Sequence, residues 1–114
     1  SILVAHSAIV EAAAVGVPHP VKGAEVICFC VLTPSTAPSD ALADELGQKC
    51  ADFLGRPLRP GRVLFVPDLP RTRSSKVMRR IVRSAYLLQD PGDTSSLVNP
   101  EAVDSIRQAV AEAT

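Results

Sequence analysis

Ala24-Glu25-Val26-Ile27-Cys28-Phe29-Cys30-Val31-Leu32-Thr33 is the stretch on which the fold turns. Val26, Cys28, Cys30 and Leu32 fall on one face of an extended chain, and Ile27, Phe29 and Val31 on the other. Apolar side chains on both faces predict a central strand covered from two sides. Upstream, Glu11 to Val17 reads as a short strand that ends at the breaker Pro18-His19-Pro20, with Pro18 to Gly23 a turn-rich loop. Ile2, Leu3, Ile9 and Val10 are apolar and no cap precedes them, so the opening reads as the middle or end of a helix at a fragment edge.

Downstream of that strand, Pro34 to Pro38 is a loop and Ser39 caps a helix running to about Leu54. Its apolar stripe is Leu42, Leu46, Cys50, Phe53 and Leu54, and Gly55 stands where the helix ends. Arg56 to Gly61 is a connector, and Arg62 to Val66 a third strand stopped by Pro67 and Pro70. The spacing of Val77, Met78, Ile81, Val82, Ala85 and Leu88 predicts a helix from about Lys76 to Gln89, broken by Asp90-Pro91-Gly92-Asp93. Asn99 and Pro100 mark the cap and first position of a last helix, with Val103, Ile106 and Val110 inward. The expected fold class is α+β: a two-layer domain with a small, roughly three-stranded antiparallel or mixed sheet covered by helices.

At 114 residues the chain suits one domain, and 46% hydrophobic residues suffice for a core. Twelve basic and twelve acidic residues give zero formal net charge, which argues against a generic nucleic-acid or membrane-surface binder. No apolar run reaches the roughly 20 residues that span a bilayer, and the opening lacks a signal peptide's basic start. Three cysteines without such a signal suggest a reducing, cytoplasmic setting. Cys28 and Cys30 share a face, but no further Cys or His cluster completes a metal set, so they read as buried thiols and no metal is expected.

The chemistry concentrates in Val66-Pro-Asp-Leu-Pro-Arg-Thr-Arg-Ser-Ser-Lys-Val-Met-Arg-Arg80. Of the 12 basic residues, Arg71, Arg73, Lys76, Arg79 and Arg80 lie here, beside the hydroxyls of Thr72, Ser74 and Ser75. Most such clusters are solvated faces. A hydroxyl-rich loop that follows a proline-flanked turn can also present donors and a cation to an anionic ligand.

This stretch resembles the C-terminal loop of the adenylate-forming enzymes (acyl-CoA synthetases, adenylation domains, luciferases). The family pattern Pro-Lys-Thr-Arg/Ser-Ser-Gly-Lys, then Ile/Leu/Val, one residue and Arg, is matched by Pro70, Arg71, Thr72, Arg73, Ser74, Ser75, Lys76 and Arg79. AIVEAAAVGVPHPVKGAEVICFCVL (8–32) resembles the family's strand pair, and GDTSSLVNPEAVDSI (92–106) resembles the tail of the acetyl- and propionyl-CoA synthetase branch. The resemblance implies that residues 1–114 are the mobile C-terminal (lid) domain of an ATP-dependent short-chain acyl-CoA ligase. Its substrates would be ATP with Mg2+, a short-chain carboxylic acid such as acetate or propionate, and CoA, bound mainly by a large N-terminal domain absent from this sequence. It further implies that Lys76 is the catalytic lysine of adenylation, that the domain rotates before thioester formation, and that acetylation of Lys76 silences the first step. Arg73, Ser74, Ser75, Lys22 and Gly23 become candidate substrate- or nucleotide-binding residues. The fragment alone is expected to be inactive.

Departures from the family pattern matter. Ser75 stands where the family has Gly, which carries a strain cost if the loop needs positive φ. Ala51 stands where some acetyl-CoA synthetases place an arginine thought to meet the CoA phosphate, leaving Lys49, Arg56 and Arg59 as substitutes. His6, His19 and Tyr86 read as ordinary structural residues, and Arg79, Arg80 and Arg83 as interdomain or solvated contacts. Two other readings stay open: an adenylation domain that hands its acyl group to a carrier protein, and a non-catalytic interaction or regulatory module. The GDTSSL tail weighs against the first and Lys76 against the second.

Overall fold

The computed structural model describes residues 2–113. Strand β1 (Ile9–His19) pairs antiparallel with β2 (Gly23–Leu32), and β3 (Arg62–Phe65) lies parallel to β2 on its other side. The sheet is therefore mixed, in the order β1-β2-β3, with the all-apolar strand at its centre as expected. A parallel neighbour needs a crossover. Here it is supplied by α1 (Asp40–Leu54), after which α2 (Arg79–Tyr86) and α3 (Glu101–Ala113) complete the α+β domain.

The pleat sorts the core. Ile27 and Phe29 are fully buried on one face beside their β1 partners Val15 and Ala13, under Ile81, Val82 and Ala85 of α2 and Ile106 of α3. Tyr86 meets Phe29 edge-on, with ring centroids 6.0 Å apart. Cys28 and Cys30 point to the other face and pack with Leu46 and Cys50 of α1. Burial pushes the Cys28 and Cys30 thiols up to about 12 and raises Cys50 as well, so all three stay protonated apolar packing groups at neutral pH.

Helix α1 begins where the sequence puts it: the Ser39 hydroxyl accepts from Leu42 N–H at 3.0 Å. Gly55, at φ +96°, ends it.

Several expectations need correction. Ile9 and Val10 open β1 and belong to no helix; among the described residues before them the one helical piece is a 3₁₀ turn at Leu3–Ala5. β1 also runs on through Pro18 to His19, which leaves Pro20 to Lys22 as the turn. A proline is tolerated there because β1 is an edge strand. Phe53 and Leu54, assigned to the buried stripe of α1, are 75% and 49% exposed, so that stripe is buried only at Leu46 and Cys50.

Helix α2 is shorter than the periodicity suggests. Its first turn closes on the carbonyl of Met78, which accepts from Ile81 and Val82 N–H, so Lys76 and Val77 lie outside it. It ends at Tyr86 because Leu88 turns left-handed (φ +57°) while Gln89 N–H reaches back to the Ser84 carbonyl. Leu88 is consequently exposed. Asn99 precedes α3 as expected, yet its side chain is committed elsewhere.

Candidate functional site

Residues 70–78 form a β-hairpin of their own. Met78 N–H donates to the Pro70 carbonyl at 2.9 Å, Thr72 N–H to the Lys76 carbonyl at 3.0 Å, and Arg71 pairs with Val77 between them. The tip is Arg73-Ser74-Ser75: Ser75 N–H bonds back to the Thr72 carbonyl at 2.9 Å, and Ser75 itself has φ +66°. A three-residue loop closed by a left-handed residue is a G1-type bulge, a position that glycine normally takes. The conditional strain raised by the sequence is therefore present. A serine in this conformation costs roughly 1 kcal/mol, partly offset because glycine loses more freedom on folding. Ser75→Gly is expected to stabilise the chain by about 0.5 kcal/mol, read as a higher urea midpoint at unchanged slope; a lower midpoint would mean that the serine hydroxyl earns its place.

Lys76 follows the bulge directly. It is exposed, and its side chain makes no hydrogen bond or ion pair with any described residue. The hairpin thus offers a mobile ammonium on a fixed base.

The base is clamped from the far side. Val98 N–H donates to the Arg71 carbonyl at 3.0 Å and Leu97 bridges Thr72, so the tail segment adds a third short strand. Asn99, 7% exposed, accepts from Arg71 N–H at 2.9 Å through Oδ1. Its Nδ2 donates to Asp68 Oδ2 and to the Leu69 carbonyl, each at 2.8 Å. The Arg71 guanidinium grips both oxygens of Glu11 and also Asp68, at 2.6 Å. Those bonds, from Glu11 first and then Asp68, raise its pKa further. Burial pushes the Asp68 carboxyl up, but the bonds from Arg71, Leu69 N–H and Asn99 outweigh it and leave the group below the usual carboxylate range. Arg71, matched to the family's Lys by charge, is thus a tie between β1 and the hairpin. Asn99 and the Arg71–Glu11 tie are positioning elements that no local pattern reveals, because their partners lie 28 to 60 positions apart, whereas Asp68 meets Arg71 at i,i+3.

Among the predicted site residues, the structure brings Arg73, Ser74, Ser75 and Lys76 together at one tip. Lys22 and Gly23 lie elsewhere. Glu11, beside the hairpin, and His19, beside the β1–β2 turn, are eight strand residues apart, a span of roughly 27 Å. In that turn His19 Nδ1 accepts from Val21 and Lys22 N–H at 3.1 and 3.0 Å, its Nε2 lies 3.3 Å from Glu25, and Gly23 takes φ +84°. His6 is likewise structural, paired with Glu45 and accepting from Ala8 N–H. Ala51 is buried, and Arg59 is held by Gln48 at 2.9 Å. Arg80 bonds the Pro91 carbonyl at 2.6 Å and Arg83 the Gly16 carbonyl at 2.9 Å, both within the domain. No group of three or more His, Cys, Asp or Glu among the described residues is placed to hold a metal ion.

The sequence profile of the AMP-binding enzyme C-terminal domain matches residues 1–76, ending on the lysine at the hairpin tip. The chain belongs to that family. As an AMP-binding enzyme C-terminal domain it is 46% identical over 110 residues to the acetyl-coenzyme A synthetase of Methanothrix soehngenii, covering 96% of this chain and 16% of that protein. It is 42% identical over 112 residues to the 3-hydroxypropionyl-coenzyme A synthetase of Sulfurisphaera tokodaii, covering 98% and 17%. A solved structure, the acyl-CoA synthetase of Brucella canis, superposes with a TM-score of 0.66 at 35% identity over 77% of this chain and 15% of that one. The domain therefore spans only about a sixth of the length of such relatives. The two synthetases match beyond residue 76, so their likeness takes in part of the tail that clamps the Lys76 hairpin.

Proposed function

We propose that this domain is the mobile C-terminal lid of an ATP-dependent short-chain acyl-CoA ligase, and that Lys76 serves its adenylation step. The observation that carries the reading is an unpaired, exposed lysine at the tip of a hairpin whose base is anchored on two sides. In the first reaction a carboxylate oxygen attacks the α-phosphorus of ATP and pyrophosphate leaves. Carboxylate, α-phosphate and leaving group are all anionic, and an ammonium brought among them offsets that charge as the centres close. In the second reaction the CoA thiol attacks the acyl carbonyl and AMP leaves, a step with no need of the cation.

The placement of Lys22 and Gly23 at the opposite end of β1 fits a domain that turns different ends toward the pocket in the two steps. The large N-terminal domain of the same protein would supply the pocket and hold ATP with its Mg2+. The names of the relatives favour acetate or 3-hydroxypropionate as substrate, and the resemblance of the tail adds propionate. N-acetylation of Lys76 would remove the charge and switch off the first step alone.

The test is carboxylate-dependent exchange of pyrophosphate into ATP by the full-length protein. Exchange with acetate or propionate and release of AMP only with CoA is the expected result. An acyl group delivered to a carrier protein, with CoA inert, would replace this reading with that of a carrier-directed adenylation domain.

A further inference from the structure

The face of the hairpin tip that meets the tail carries a feature the adenylation lysine does not use. Thr72, Arg73 and Ser74 on one side and Ser95, Ser96, Leu97 and Val98 on the other line a groove of about 520 Å3. Four hydroxyls and one guanidinium line it, and no carboxylate does. Arg73 is exposed and its side chain pairs with no described residue. The N–H groups of Arg73 and Ser74, at the turn, likewise donate to nothing among the described residues. Thr72 and Ser74 share one hydrogen bond at 3.0 Å, which leaves one of their two hydroxyl protons to point outward. Asp93, the acid of the tail segment, has its carboxylate occupied by Ser95 N–H at 2.9 Å. Its pKa lies below the ordinary value, through that backbone bond first and a bond from the Ser95 side chain next.

The free donors are therefore the Arg73 and Ser74 N–H groups, the Ser96 hydroxyl and one proton of the Thr72–Ser74 pair, and such a concave set beside a forked cation is the chemistry that binds phosphate oxygens. We propose that this groove binds a phosphoryl group of a reactant, either the pyrophosphate released in adenylation or the 3′-phosphate of CoA. The proposal rests on the ligase reading for its ligand, while the groove itself stands on the donors just named. In the first case Arg73 and the serines hold the leaving group next to Lys76. In the second they capture CoA before the domain turns its other end to the pocket.

Hydrogen exchange read by mass spectrometry on the full-length protein tests it segment by segment, with inorganic pyrophosphate and adenosine 3′,5′-bisphosphate as separate probes. One probe should slow exchange of residues 72–76 and 94–98 severalfold, and the variant carrying Arg73→Gln and Ser96→Ala should lose that protection. The same exchange elsewhere in the unliganded variant and wild type establishes that the variant is folded. Protection by pyrophosphate assigns the groove to the leaving group, and protection by the bisphosphate assigns it to CoA. Absence of protection by both probes, or protection that survives in the variant, overturns the proposal. The readout needs no turnover, so a protein that fails to adenylate any carboxylate would sink the ligase reading and leave this result to stand on its own.

Discussion

Lys76→Ala in the full-length protein should slow acyl-adenylate formation by roughly a hundred- to a thousandfold, about 3–4 kcal/mol. Conversion of pre-made acyl-adenylate to acyl-CoA should stay within about twofold. The asymmetry follows from charge. The proposed first step brings a carboxylate against a polyphosphate and would gain from a positioned cation, whereas the thiol's attack on an adenylate carbonyl would leave only AMP behind. Lys76 makes no ion pair with a described residue, so its removal costs the fold little. Lys76→Gln, which takes away the charge as N-acetylation would, should share the selective loss. Equal loss in both steps would point to a damaged domain, and no loss in either would make the hairpin a structural relic. Mass spectrometry that finds Lys76 unmodified in cells under every growth condition would remove the acetylation switch while leaving the proposed catalytic role untouched.

Much of this fold is legible in the sequence wherever the determinant is local. Ile27 and Phe29 alternate with Cys28 and Cys30, and both sets are buried, because a strand's two faces can be read from a period of two. Ser39 and Gly55 fix the ends of α1 by their own backbone and side-chain preferences. The start of α2 is not legible in this way. Val77 and Met78 continue its apolar periodicity, yet Val77 is taken by Arg71 and Met78 bonds Pro70, pairings that only a formed hairpin supplies. Leu88 fails for a related reason: nothing about leucine announces a left-handed helix end. At the site, the sequence and its family resemblance single out Lys76 and flag Ser75 as a departure, but the remoteness of Lys22 and Gly23 depends on strand length. The role of Arg71 as a tie depends on Glu11, sixty residues away.

Asn99 carries the most weight among the residues that local signals misassign. Asparagine before proline is a helix-start signal, and α3 does begin just after it. The buried amide is nevertheless spent on the Arg71 N–H, the Leu69 carbonyl and Asp68, three partners around the root of the Lys76 hairpin. Asn99→Ala strands a backbone donor and a backbone acceptor in a partly or fully buried setting, each costing about 1–3 kcal/mol. Destabilisation of about 3 kcal/mol is therefore expected, measured by urea unfolding of the 114-residue chain. The same change should reach the chemistry. Arg71 sits opposite Val77, the neighbour of Lys76, so releasing it loosens the base from which the ammonium is aimed. An error of about 1 Å in such placement can cost as much as a hundredfold in rate. At a temperature where the variant remains folded, the adenylation step of the full-length protein should fall about tenfold or more, with thioester formation spared. A variant that is less stable but adenylates at the wild-type rate would show that the hairpin holds its lysine through strand pairing alone, and that Asn99 contributes only to the fold.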